Sequence, residues 1–112
     1  KKHETPVGYQ ISRSKTLAVP VATAYRAWND WKQRGRWLKD SKFTIRKAIA
    51  NRSLRITWVD GTTNVEVMFL VKGNRKSLVA VQHNKLANAA EAERKKKYWA
   101  EQLDRLQKYL AE

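Results

Sequence analysis

The C-terminal part of the chain restricts its fold more than any other stretch. Trp99, Leu103, Leu106 and Leu110 recur at i, i+4, i+7 and i+11, one face of an α-helix, with Ala92 and Lys96 further up the same stripe. The opposite side is charged and includes the run ERKKK. Asn88, with Glu91 three residues later, has the pattern of a capping box and marks the N-terminus. These signals predict an amphipathic helix of about six turns. Its apolar stripe must be covered, and a chain of 112 residues has room for one domain and one core. The cover has to come from the residues upstream.

Those residues read mostly as strands. YQISRSKTLAV (Tyr9–Val19) sets Ile11 and Leu17 among Ser and Thr, a strand pattern. Pro20 ends it, since proline has no N–H to donate and its fixed φ suits the start of a helix. Val21, Ala24, Tyr25 and Trp28 then recur at three and four, the face of a short helix. Asp30 is placed to cap a second one, WKQRGRWL, where Trp31, Arg34 and Trp37/Leu38 repeat the spacing. Trp31 and Trp37 fit a core stripe, with Lys and Arg left outside.

FTIRKAIA (Phe43–Ala50) alternates roughly, and NRS reads as a turn. LRITWV puts Leu54, Ile56 and Trp58 on one face. DGTT is a turn with Gly61 free to take positive φ. NVEVMFLVK carries Val65, Val67, Phe69 and Val71 on one side, while Met68 and Leu70 make its other side apolar too. GNRK turns the chain into SLVAVQHNKL, the last strand. The order is strand, two short helices, four strands, long helix. That is an α+β arrangement, an antiparallel sheet wrapped around one helix. No repeat or linker divides it, so residues 1–112 form a single domain, with roughly the first eight expected to be flexible.

Composition removes several function classes. A hydrophobic content of 42 % with five Trp belongs to a folded protein. The absence of Cys excludes disulfides and thiolate metal sites, and two His, His3 and His83, are too few for a zinc centre. No apolar run approaches the ~18 residues needed to cross a bilayer. The N-terminal KKHETPVGYQ has charge but no apolar signal segment, so a cytoplasmic location is expected. The chain opens on Lys1 without an initiator Met, as a processed chain or a piece of a longer one does.

This order of elements resembles the helix-grip fold of the START-like (SRPBCC) superfamily, in the branch related to activators of the Hsp-90 ATPase and to polyketide cyclases. The matching residues are KTLAVPVATAYRAWND for the first strand and helix and RWL for the second helix, followed by SLRITWVDGT and KSLVAVQHNKL. ERKKKYWAEQLDRLQKYL matches the gripped helix. The resemblance runs from about Tyr9 onward. Family members commonly carry an extra strand pair before the strand that begins here near Phe43. In this chain that pair is absent or reduced, which implies a smaller grip and a filled interior.

The resemblance implies a groove between sheet and C-terminal helix that holds a small hydrophobic ligand or a protein partner. The residues facing it are Trp28, Trp37, Trp58, Val67, Phe69, Val81, His83, Trp99 and Leu103, with His83 or Trp58 as the polar handle. The simplest account of the same residues is a filled core, because burying a large side chain stabilises by roughly 1.5–3 kcal/mol. Activation of a chaperone ATPase is implied by the branch's name alone. No cofactor is implied.

The formal net charge of +14 supports a rival function. Residues 31–60 hold nine Lys and Arg against two Asp. Within them Arg34, Arg36, Lys39, Lys42, Arg46, Lys47, Arg52 and Arg55 are interleaved with Trp31, Trp37 and Phe43, the composition used to hold phosphates and stack bases. Nucleic acid or another polyanion is therefore the alternative partner, through a contiguous patch. A cyclase-like enzyme is the second alternative. Asp40, Asp60 and Glu66 stand apart on a connector, a turn and a strand, and no triad order, glycine-rich phosphate loop or metal motif is present. No catalytic residue is assigned, and a binding module is preferred to an enzyme. Met68 and Leu70, with Leu78 and Ala80 opposite them, are expected to form an apolar patch on the outer sheet face, a candidate surface for homodimerisation or a partner.

Overall fold

In the computed structural model, residues 3–5, 8–40 and 42–111 are described. In chain order the elements are β1 (His3–Thr5), β2 (Gly8–Leu17), α1 (Val21–Asn29), α2 (Trp31–Trp37), β3 (Thr44–Ile49), β4 (Ser53–Thr57), β5 (Asn64–Gly73), β6 (Lys76–Leu86) and α3 (Ala89–Ala111). The six strands form one antiparallel sheet in the order β1-β2-β6-β5-β4-β3. This is the expected α+β arrangement, with α3 against the inner face. Where the sequence expects a flexible stretch before Tyr9, His3–Thr5 pair with Gly8–Gln10 and add a sixth strand. Between α2 and β3 no strand occurs among the described residues. No described helix is long and apolar enough to cross a membrane.

Local chemistry sets the boundaries. The Pro20 carbonyl accepts from the N–H groups of Thr23 and Ala24 and starts the helix, three residues after the strand ends at Leu17. Asp30 serves two helices at once. Its N–H closes α1 on the Arg26 carbonyl, and its side chain accepts from Lys32 N at 3.0 Å to open α2. Asn88 Oδ1 accepts from Glu91 N at 2.8 Å at the start of α3, while the Glu91 carboxylate is engaged by Arg94.

The ladder register decides what faces α3. One inner row runs Arg13–Val81–Val67–Leu54–Ala48, and the next runs Ile11–His83–Val65–Ile56–Ile45. A slip of one residue would turn every one of these outward. Ile11, Leu54, Ile56, Val65, Val67, Val79 and Val81 are buried there against Trp99, Leu103 and Leu106. At the edge, Lys15 pairs with Asp104 of α3 at 2.6 Å.

Two expectations need correction. Trp31 is 69 % exposed and no part of the core, because Arg34 and Trp37 take the buried positions of α2. The end of β6 also departs from simple alternation. Tyr9 pairs with Leu86 but Ile11 with His83, so Asn84 and Lys85 face the single residue Gln10. This bulge, with Lys85 at φ 64°, returns Leu86 to the core when alternation would have turned it out. Gly8 lies against it at φ 124°, and a Cβ there would fall 2.8 Å from the Leu86 carbonyl oxygen. Gly8→Ala is therefore expected to destabilise the fold by about 1–3 kcal/mol, read as a lower midpoint in urea unfolding. An unchanged midpoint would show that the β2–β6 junction is not held in this form.

Candidate functional site

The interior between sheet and helices is built from rings in contact. Trp99 of α3 stacks on Trp28 of α1 at 5.9 Å between centroids and meets Trp58 at 5.1 Å. Trp58, just after β4, stacks in turn on Phe43 at 5.7 Å. Trp28 receives Trp37 edge-on at 4.8 Å and Phe69 at 6.4 Å, and Tyr25 closes the far end against Phe69 at 5.4 Å. Trp37 Nε1 donates to the Ala27 carbonyl at 3.0 Å, which fixes α2 on α1. Val67, Val81 and Leu103 are buried in the same core. The structure thus brings together all nine residues expected to face a ligand, and it packs their rings against one another.

His83 is buried inside this array with both ring nitrogens engaged. Trp99 Nε1 lies 3.0 Å from Nδ1 and can only donate, so Nδ1 must accept and the proton must sit on Nε2. Nε2 then donates to Thr63 Oγ1 at 2.8 Å, and the Thr63 hydroxyl donates to the Asp60 carboxylate at 2.8 Å. Asp60 also accepts from the N–H groups of Thr62 and Thr63 at 2.9 Å each. Burial pushes the Asp60 carboxyl up, but these N–H groups and the hydroxyl more than offset it and hold the carboxyl below its ordinary value. Burial, and after it the Lys95 ammonium, lower the His83 pKa to about 4. Lys95 lies over the rings of Tyr98 and Trp58 at 5.2 and 6.0 Å. The result is a neutral imidazole in a fixed tautomer, with no nitrogen free to act as acid, base or metal ligand.

Tyr98, beside it, donates to Asp40 at 2.7 Å, and burial followed by that carboxylate push its phenol well above the usual range. No group of three or more metal-binding side chains occurs among the described residues.

Sequence reasoning missed Gln102, Thr63 and Ser77. Gln102 is buried one turn beyond Trp99, and its Oε1 accepts from Lys39 N at 2.9 Å. A polar residue on the apolar stripe was the available signal. Gln102 Nε2, Trp28 Nε1 and Ser77 Oγ are buried without a hydrogen-bond partner among the described residues. Ser77 is the ladder partner of Leu17 at the end of the grip. Alongside Leu17 a groove of about 360 Å³ opens between the end of β2 and the last turns of α3. Leu17, Ala18, Val19, Leu110 and Ala111 form its apolar wall, with Gln107 and Lys108 at its margin.

The basic residues do not form one surface. Arg34 leaves the group of exposed cations, because it is buried, donates to the Trp28 carbonyl at 2.8 Å and lies 4.4 Å over the Phe43 ring. Its guanidinium closes the C-terminal end of α1, where a cation is favoured. Trp37 and Phe43 are buried, so of the three interleaved aromatics Trp31 alone is exposed. Arg36 lines a cleft with Arg105, Lys108 and Tyr109 on the helical side. Lys39 and Lys42 follow α2 and are exposed. Lys47 and Arg55 pair with each other on the outer sheet face, Arg46 shares a cleft with Arg55, and Arg52 sits in the β3–β4 turn. A run contiguous in sequence is divided between the two sides of the sheet.

No family model matches the sequence, and no curated protein matches it. Solved structures do. CalU16 from Micromonospora echinospora superimposes with a TM-score of 0.77 at 19 % identity, over 97 % of this chain and 80 % of that one. An AHSA1-like protein from Aeromonas hydrophila gives 0.75 at 17 % identity, over 91 % and 92 %. CalC from M. echinospora, described as a self-sacrificing resistance protein, gives 0.64 at 20 % identity, over 88 % and 92 %. The chain shares the helix-grip fold of these structures.

The His83 network carries a pH signature. The folded pKa is depressed to about 4 from 6.5, so the folded state binds fewer protons than the unfolded one in that window. Stability is complete above about pH 6.5, falls as pH drops toward 4, and loses on the order of 3 kcal/mol in total. His83→Gln is expected to flatten urea-derived stability between pH 7 and 5. Parallel curves for the two proteins would sink the assignment. Asp60 contributes in the same direction at lower pH.

Proposed function

We propose that this chain is a binding domain for a small amphiphile with an apolar body and one anionic group, held in the groove between β2 and the end of α3. The observation that carries the proposal is the groove itself. Its volume of about 360 Å³ falls within the range of small-ligand sites, and its wall is aliphatic, with Lys108 the one charged lining residue among those described. In this reading the Lys108 ammonium receives a carboxylate or similar anion, while Leu17, Val19 and Leu110 cover the chain or ring attached to it. Lys108 also borders the cleft of Arg36 and Arg105, which adds positive potential nearby.

Magnitudes favour the groove over the ring-filled interior. A guest among the rings has to displace at least one tryptophan, and losing a Trp from a core costs about 3–5 kcal/mol. The groove asks for no such rearrangement. The proposed groove lies apart from the interior residues to which the superfamily resemblance points, at the far end of the same sheet and helix. A cyclase-like reaction gains no support from the interior, where His83 has both nitrogens bound.

Titration with decanoate and decanol, read by native mass spectrometry and thermal unfolding, tests the proposal. Decanoate is expected to bind one to one and raise the melting temperature. Lys108→Glu is expected to weaken decanoate roughly tenfold while sparing decanol, an effect of about 1.4 kcal/mol. Leu110→Asp is expected to abolish both. Binding indifferent to Leu110→Asp but lost in Trp28→Phe would move the ligand into the interior, and no binding of either compound would end the proposal.

A further inference from the structure

We propose that the outer face of the sheet is a docking surface for an acidic, amphipathic segment of a partner protein. Solvated faces of antiparallel sheets ordinarily carry polar side chains. Here Met68 and Leu70 are 48 % and 46 % exposed, Ile49 is exposed beside them, and Leu78 and Ala80 are half-buried. The register makes them contiguous. Ile49 pairs with Ser53, Ser53 with Met68 and Met68 with Ala80, one row across four strands, and Leu70–Leu78 is the row beside it.

Four strands at about 4.8 Å spacing span about 14 Å. That matches the apolar stripe of between two and three helical turns at 5.4 Å each. A depression of about 220 Å³ beside Met68 and Ala80, lined also by Ser12, Glu66 and Gln82, has room for one anchoring side chain.

Charge flanks the apolar rows on both sides. Beyond Leu70 and Leu78 along their strands come the exposed Lys72 and Lys76, and the two hairpins at that end carry Arg52 and Arg75. On the other side the next row is Lys47–Arg55–Glu66, where Arg55 and Glu66 lie 3.5 Å apart. Between residues 42 and 86 nine Lys and Arg stand against Asp60 and Glu66, and Asp60 is at the opposite end, committed to Thr63. A second copy of this chain would bring these cations against their own kind on a protein of net charge +14. The complementary occupant has an apolar stripe with Asp or Glu on both flanks, the helix-on-groove mode of recognition.

The probe is a synthetic helical peptide of about five turns, Leu on one face and Glu on the others, followed by fluorescence anisotropy at low and high salt. It is expected to bind the full chain, to weaken with salt, and to lose roughly tenfold or more in affinity when Met68 and Leu70 are both changed to Glu. A separate variant with Arg52, Lys72 and Lys76 changed to Glu should lose affinity and most of the salt dependence. Both variants alter exposed side chains, and circular dichroism verifies that they fold.

Four results overturn the proposal. Polyglutamate binding as tightly as the peptide would reduce the effect to charge. Affinity unchanged in the Met68/Leu70 variant would remove the patch from it. Phosphatidylserine vesicles binding through the same residues while the peptide does not would make the face a membrane surface. A dimer in sedimentation equilibrium that Leu70→Glu dissolves would make it a self-association surface.

Discussion

The structure depends on where Trp99 stands. Its ring touches Trp28 from the first helix, Trp58 from the end of β4, and His83 from β6 through its indole N–H. An indole offers a large apolar surface and a single donor, and both are used. The surface closes the sheet over the helix, and the donor determines which nitrogen of a buried imidazole carries the proton. With that tautomer set, the Thr63–Asp60 turn acquires its one possible hydrogen-bond direction. Packing and polarity are satisfied by the same contact.

This arrangement gives the interior a structural duty. A core whose rings lie 4.8–6.4 Å apart is filled, and each group in it answers to its neighbours first. Both proposed binding places are peripheral: the groove at the far end of the grip, where the last turns of α3 run past β2, and the back of the sheet. Neither place requires the aromatic array to open. On those two proposals the fold is a frame that holds its recognition surfaces in register.

Much of this was legible in the sequence, and the failures have physical causes. Periodicity gave the element order, because strands and the long helix each repeat their pattern several times. The stretch His3–Thr5 is too short to show one. In α2, with seven residues, the phase of the apolar stripe is decided by what the helix packs against. Arg34 won the inward position through the Trp28 carbonyl and the Phe43 ring, and Trp31 was turned out. The bulge at Lys85 had no glycine to announce it. The residues lining the interior could be named in advance from alternation, but whether they enclose a space depends on the sum of their volumes, which no pattern encodes. Thr63 is 20 residues from His83 and meets it only through the register of β4, β5 and β6. The groove was half visible, in Leu17 and Leu110, with no means to bring the two together.

The uneven placement of the tryptophans has an optical consequence. Trp28, Trp37, Trp58 and Trp99 are buried in ring-to-ring contact, whereas Trp31 stands in solvent beside Lys32. The first four share a buried, asymmetric environment, for which a blue-shifted emission and a strong near-ultraviolet dichroism are expected. Trp31, being exposed, is expected to emit at the red edge and to be open to aqueous quenchers. One chain therefore carries two separable spectral populations, one reporting on the core and one on the short second helix. Loosening of α2 would register in the second before the first had changed.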